Sequence, residues 1–437
     1  MSSYRVGCLT AFVLVPLSVP VFAQTSAPPP SQEHQHHMPA GANASTWTFM
    51  QDGIVFGMLN HQGGPRGGDE FKVPNWWMGM LSRDVGKTKL TFTSMLSLDA
   101  TTVGKRGYRE IFQSGEAVDG QPLIDRQHPH DLFMQLSAVW RTPLTERTGL
   151  TLAGGPVGEP ALGPVAFMHR ASAAENPMAP LGHHVLDSTH IAFGVVTAAV
   201  DYGPFVVEGS IFNGREPDEN RWNFDFGVLD SVSGRVWFKP NDKWEFQVSS
   251  GHLVDPEELE PGNVTRTTAS GSWFSKSDTD FTAVTVGWGI NAAHGTTRQA
   301  VVGEVTRRQG ANAIFSRVEG RQLETAVLLT GRVSSCPSVV HCIGIDEQRS
   351  DAVAAVTFGG TRDLIAWRGF EGALGAQATV YGVPDVLKST HGSHPVSFQL
   401  FFRVRTPAPM GRMWNMRMSQ PTAGHDMAGM AGMSGIK

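Results

Sequence analysis

From about residue 47 to residue 406 the chain repeats one pattern. Stretches of roughly ten residues alternate apolar with small or polar side chains, and Gly, Pro, Asn and Asp stand between them. Leu90 to Leu98 alternates cleanly, and so does Phe281 to Ile290. Ser397 to Arg405 places Phe398, Leu400, Phe402 and Val404 on one face, with Ser397, Gln399, Phe401, Arg403 and Arg405 on the other. A soluble sandwich buries the apolar face against a second sheet. A membrane barrel turns it to lipid and leaves the polar face in a wet lumen.

The first residues favour the barrel. Arg5, the apolar run Val6 to Pro20 and Val21-Phe22-Ala23 read as a secretory signal cleaved before Gln24. Beyond it no apolar stretch is long enough for a transmembrane helix, so a membrane would be crossed by strands. Trp76, Trp77, Trp140, Trp237, Trp244, Trp288 and Trp367 fall near segment ends, as interfacial girdles require. Val228 to Phe238 and Trp244 to Leu253 read as a hairpin joined through 239–243. The expectation is an all-β fold: a transmembrane antiparallel β-barrel of roughly 14–16 strands with disordered N- and C-terminal extensions. The chain divides into a signal peptide (1–23), a His/Pro-rich segment (24–46), the barrel (47–406) and a Met/His-rich tail (407–437). The predicted location is the outer membrane of a Gram-negative cell, among its lipids.

A formal net charge of -5 gives no reason to expect a nucleic-acid partner. Two cysteines follow the signal, Cys336 and Cys342, and in an exported chain they read as a small disulfide loop.

Both tails carry metal-binding residue types. His34, His36, His37 and Met38 lie close together near the start of the mature chain. The last 28 residues hold seven of the 17 methionines, and His425 and Asp426 precede the triplet Met427, Met430, Met433. Imidazole suits divalent copper. The thioether, soft and uncharged, suits monovalent copper or silver. Such Gly-, Ala- and Pro-rich segments have too little apolar bulk to build a core.

The stretch 125–191 breaks the strand rhythm. It contains Asp125 to Asp131 with His128, Pro129, His130 and Asp131, then Phe167-Met168-His169-Arg170, then Asn176 to His190 with His183, His184, Asp187 and His190. Imidazoles and carboxylates of this kind make first-row metal sites, with Asp131 and Asp187 as candidates to orient a ligating histidine. Convergence of His128, His130, Asp131, His169, His183, His184, Asp187 and His190 in or at the mouth of the barrel is expected. A folded-in loop that merely narrows the lumen is the competing reading. Phe212 to Asp225, with charges of both signs, suits either a pore rim or a solvated loop. Ser188, Asp187 and His190 make no recognisable catalytic arrangement and no Gly-x-Ser-x-Gly elbow occurs, so no enzyme is expected.

The wording of 125–134, 167–170, 176–184, 187–191 and 212–219 resembles a little-characterised group of Gram-negative outer-membrane β-barrel proteins associated with copper and heavy-metal resistance. The resemblance covers about residues 47–406 and implies a porin-like protein. The function expected from all of this is to bind or pass copper, Cu+ or Cu2+, or a similar soft metal ion at the cell envelope, with no cofactor required. The alternative is a general small-solute porin with a His-rich constriction loop.

Overall fold

The computed structural model describes residues 46–406 except 259, 278–279 and 331–347, together with 414–421. The proposed signal, His34, His36, His37, Cys336, Cys342, His425, Met427, Met430 and Met433 lie outside the described residues.

The alternating segments form β1 (Thr48–Gln62), β2 (Gly68–Lys72), β3 (Asn75–Val85), β4 (Thr88–Leu96), β5 (Tyr108–Val118), β6 (Gln121–Gln127), β7 (Phe133–Pro143), β8 (Thr148–Gly158), β9 (Ala192–Tyr202) and β10 (Phe205–Phe212). They continue as β11 (Ser231–Asn241), β12 (Trp244–Leu253), β13 (Val264–Lys276), β14 (Phe281–Ala293), β15 (Thr296–Gln309), β16 (Asn312–Glu324), β17 (Ser350–Trp367), β18 (Phe370–Gly382) and β19 (Val396–Arg405). Each wall strand pairs antiparallel with its neighbour, and β1 closes the ring on β19 from Ile54 opposite Arg405 to His61 opposite Phe398. β2 and β3 run end to end along the same edge of β1 and act as one wall strand. The break falls at Val73-Pro74, where proline has no N–H to give to the ladder. Its carbonyl still accepts from Phe56 N at 3.0 Å. The result is a closed antiparallel barrel of 16 strands. β5 and β6 form a separate hairpin that is not part of the wall.

An even strand number puts the start of β1 and the end of β19 on one rim. That rim carries the tight turns, such as Gly86-Lys87, Gly203-Pro204 and Gly310-Ala311. The expected five-residue link at 239–243 is tighter than that. β11 runs on to Asn241, whose Oδ1 accepts from Lys243 N and Trp244 N, and it begins at Ser231 rather than 228. The opposite rim carries the long connections 97–132, 159–191, 213–230, 254–263 and 325–349. Short turns beside the termini and long loops on the far side are the asymmetry of outer-membrane barrels, whose far side is extracellular.

Wall faces are the inverse of a soluble sheet. Val207, Ile211, Val248, Val286, Val318, Phe358, Phe398 and Leu400 are exposed, while Glu208, Arg235, Thr268, Glu304, Arg317, Gln399 and Arg403 are buried. An outward apolar surface of this kind is made for lipid. Trp140, Trp244 and Trp367 stand on it near the turn-bearing rim, as girdle residues should. Trp237 does not: it faces inward, 2% exposed, with the Arg417 guanidinium 3.8 Å from its ring centre. Trp76 also points inward, against His169. Strand parity decided both, since one residue of shift turns a side chain from lipid to lumen.

The connection 159–191 folds into the lumen and is buried along almost its whole length. Arg170, 1% exposed, donates to Asp187 and to both carboxylate oxygens of Glu304 in the wall. Glu175 lies among Arg403, Arg405 and Arg308, and its Oε2 accepts from Thr361 at 2.9 Å. Residues 414–421 enter from the turn-bearing side. Asn415 N donates to His169 O at 2.7 Å, and Ser419 Oγ donates to Glu208 at 2.6 Å. Part of the Met-rich tail is thus packed inside the barrel, with Met416 and Met418 each 1% exposed.

Glu175 makes the inward connection sensitive to acid. Burial alone would raise its carboxyl, but the guanidiniums of Arg405, Arg403 and Arg308 hold it down, at about 2. A group depressed on folding stabilises above its ordinary pKa of 4.5 and loses that contribution as pH falls towards about 2. The contribution is of order 3 kcal/mol. Acidification from pH 5 to pH 2 is therefore expected to loosen residues 159–191. Proteolysis of the acid-treated barrel should then cut in this stretch, and Glu175→Gln should make the same stretch susceptible already at pH 7.

Candidate metal centre

Five histidines from two separated segments, 128–130 and 183–190, meet in the lumen. His128 and His130 lead into β7 on either side of Pro129, whose fixed φ limits the conformations between them. His183 and His184 open the short helix His183–Leu186, and His190 ends the turn Ser188–His190. Ring centres lie 5.3 Å apart for His183 and His190, 5.7 Å for His130 and His190, and 5.8 Å for His128 and His183. His184 lies 5.2 Å from His128 and 5.3 Å from His183.

Four of the five rings have an acceptor behind Nδ1. His130 Nδ1 faces Asp99 Oδ2 at 2.9 Å, His183 Nδ1 faces Asp187 Oδ1 at 2.7 Å, and His190 Nδ1 faces the Asp187 carbonyl at 2.8 Å. His128 Nδ1 is 3.1 Å from Glu116. A ring nitrogen facing such an acceptor carries the proton, so in a neutral ring Nε2 keeps the bare lone pair. The Nε2 atoms of His130, His183 and His190 are buried and have no hydrogen-bond partner. Acceptor on Nδ1 and free Nε2 is the arrangement of a ligating histidine. No choice of one nitrogen from each of His130, His183 and His190 brings all three within 4.8 Å of one another, so binding requires these rings to move towards a common point.

Burial keeps His128, His184 and His190 neutral. Burial first, then the neighbouring His183 and His130, holds His190 well below the usual imidazole range. His128 is held down in the same way by burial, His184 and Arg221. His184 is pushed down to about 4 by burial, against the pull of Glu216. Burial would raise Asp187, but Arg170 and His183 keep it well below the usual carboxylate range. Asp187 therefore stays ionised, with one oxygen on Arg170 and the other on His183.

Two expected members lie apart from the five rings. Asp131 accepts from Arg221 at 3.2 Å, and Arg221 also holds Glu116. His169 packs edge-on against Trp76 at 5.2 Å. With Met168 and His130 it lines a cavity of ≈ 60 Å³ that also touches Asp52, Asn176 and Trp414. Burial lowers His169 to about 4, against Asp52.

Behind His169 the lumen is lined with thioethers. β1, β3 and β4 set Met50 opposite Met80 and Met78 opposite Met95. Met134, Met168 and Met416 join the same packed group. The spacing Met78-x-Met80 places both on one strand face and was readable; that Met416 returns to meet them was not. Asp99, Glu116 and Glu216 were also missed, because each stands far in sequence from the imidazole it faces. Ser188 Oγ accepts from Arg266 Nη1 at 2.9 Å.

No known family model and no curated protein matches the chain. Among solved structures, the barrel is similar to OprB of Pseudomonas putida, with a TM-score of 0.49 and 9% identity over 82% of this chain and 94% of that one. It is also similar to an anion-selective porin from Comamonas acidovorans, with a TM-score of 0.48 and 9% identity over 83% of this chain and 100% of that one. A loop L8 deletion form of OmpT, an outer membrane protein of Vibrio cholerae, gives a TM-score of 0.48 and 8% identity over 83% of this chain and 100% of that one. Likeness at these identities concerns the shape of the barrel, and the association with copper and heavy-metal resistance gains no support from it.

Proposed function

We propose that this protein is a porin-like outer-membrane barrel that binds a transition-metal ion in its lumen, with copper as the ion that best suits its ligands. The observation that carries this reading is the set of three buried, unpartnered Nε2 atoms on His130, His183 and His190, each with an acceptor behind its Nδ1. Leaving three buried acceptors unpaired costs free energy that a bound ion recovers. Imidazoles suit Cu2+, and the methionine group beyond His169 suits the monovalent ion. The inward connection also argues against a wide general pore, because it is buried along most of its length within the barrel.

The purified full chain in detergent is expected to bind Cu2+ with nitrogen ligation visible by electron paramagnetic resonance. Replacing His183 and His190 with Ala, in a chain whose His34, His36 and His37 are already replaced with Gln, should abolish that signal while leaving the heat-dependent gel mobility of a folded barrel unchanged. A folded double variant that retains the wild-type copper signal would leave a general porin with a His-rich constriction as the better account.

A further inference from the structure

On the loop-bearing side of the imidazole cluster stands a second group of donors. A ligand atom from each of His184, Glu216 and Glu257 lies within 4.8 Å of the other two. Among the described residues this is the one group of three or more His, Cys, Asp and Glu donors that meets that spacing. Two long connections bring it together. Glu216 belongs to 213–230 and Glu257 to 254–263, and Glu216 N donates to Pro256 O at 2.9 Å, which locks the loops side by side. The hairpin β5–β6 fixes the third member. Gly115, at φ +143°, presses so close to the His184 ring that a Cβ there would stand 2.4 Å from its Cγ.

The polar atoms at this point are not spent on one another. His184 is 4% exposed, and its Nδ1 stands 3.4 Å from Glu216 Oε1 without hydrogen-bond geometry. Glu216 Oε2 is likewise buried with no hydrogen-bond partner. Nearby guanidiniums are committed elsewhere. Arg266 donates to the His184 carbonyl, Ser188 and Asn291, Arg321 to Gln113 and the Leu181 and Ser114 carbonyls, and Arg298 pairs with Glu324 at 2.6 Å. Among the described residues no Lys or Arg pairs with Glu216 or Glu257. Two buried or half-buried carboxylates beside a lone-pair nitrogen, with no protein cation between them, are a ligand set.

The surrounding space fits an ion that arrives with water. A cavity of ≈ 120 Å³ is lined by His184, Glu257, Glu116, Glu258, Glu260 and Glu324 among others, which is room for several waters. Its walls are rich in carboxylates. Its inner end is the His184 ring, 5.2 Å from His128 and so next to the five-ring cluster.

The geometry points to a divalent-cation site on His184, Glu216 and Glu257, at the outer entrance to the imidazole cluster. One imidazole and two carboxylates suit a borderline ion such as Zn2+ or Co2+, with water completing the coordination. The carboxylate-lined cavity captures the hydrated ion, and His184 holds it one ring away from His128. Ligands then run from oxygen at the outside through nitrogen in the middle to sulfur behind His169. The entrance site stands on its own residues and does not require the inner cluster to bind.

Co2+ is the probe, because its visible absorption reports ligand number. The full chain in detergent is titrated with Co2+ as wild type, as Glu216→Gln/Glu257→Gln and as His183→Ala/His190→Ala, each checked for barrel folding by gel mobility. The expected result is two Co2+ per chain in wild type. Glu216→Gln/Glu257→Gln should retain the inner one and bind the outer at least about tenfold more weakly. His183→Ala/His190→Ala should retain the outer one. Unchanged stoichiometry and affinity in the glutamine variant overturn the entrance site and leave the inner centre standing. A single ion lost in the glutamine variant and kept in the alanine variant supports the entrance site and removes the inner centre. Gly115→Ala, which displaces the His184 ring, should weaken only the outer ion; equal weakening of both would also count against the assignment.

Discussion

Arg170→Ala is expected to destabilise the folded barrel by about 3–5 kcal/mol and to disorder the imidazole cluster with it. Arg170 is the hub of the inward connection. It pairs with Asp187 at 2.5 Å and with Glu304 at 2.8 Å, and it donates to the Val165 carbonyl at 2.9 Å. Its removal leaves two carboxylates at about 1% exposure with one cation fewer between them, Arg317 remaining on Glu304. Asp187 also sets the tautomer of His183 and offers its carbonyl to His190, so its displacement frees two of the three rings. The midpoint of denaturant unfolding, followed by tryptophan fluorescence, gives the stability change, and copper binding gives the second effect. A variant that unfolds with the wild-type midpoint and still binds copper would show that the connection is held without this hub.

Removing 407–437 is expected to open the turn-bearing end of the lumen without preventing closure of the barrel. The wall is complete at Arg405, so strand pairing does not need the tail. Arg417 is buried between Glu208 and Glu245 and stacks on Trp237, while Met416 packs with Met78, Met80 and Met95. Truncation takes all of this out and leaves Glu208 facing water with Arg235 as its remaining cation. Single-channel conductance in a planar bilayer should rise severalfold over the full chain, and Ag+ binding should weaken as Met416, Met418 and the terminal methionines are lost. Equal conductance in the two proteins would mean that the inward connection 159–191 alone closes the lumen. Equal silver binding would relieve the methionines of a metal role.

Strand parity was legible because it is a local property. Phe398, Leu400 and Phe402 alternate with Ser397, Gln399 and Arg403 in the sequence, and the structure turns the first set outward and the second inward. Near strand ends that reading fails. Trp237 and Trp76 share composition with the girdle, but register and the Val73-Pro74 break decide which way each points. The strand count and the two-residue turn after Asn241 likewise depended on pairing between strands, which no single segment specifies.

For the candidate site, the sequence by itself determined the ligand types and the break in strand rhythm that carries them. His128 and His130 flank a proline, and His183, His184, Asp187 and His190 share one short helical stretch, so their mutual reach is local. Only the tertiary structure decided that the two groups meet, that Asp131 belongs to Arg221, and that His169 turns to Trp76. It also supplied Asp99, Glu216 and Glu257, and returned Met416 to the wall methionines. The physical reason is closure. A barrel brings positions far apart in the chain onto the inner face of one ring, and the connection that fills the lumen chooses its partners by charge and shape across that space.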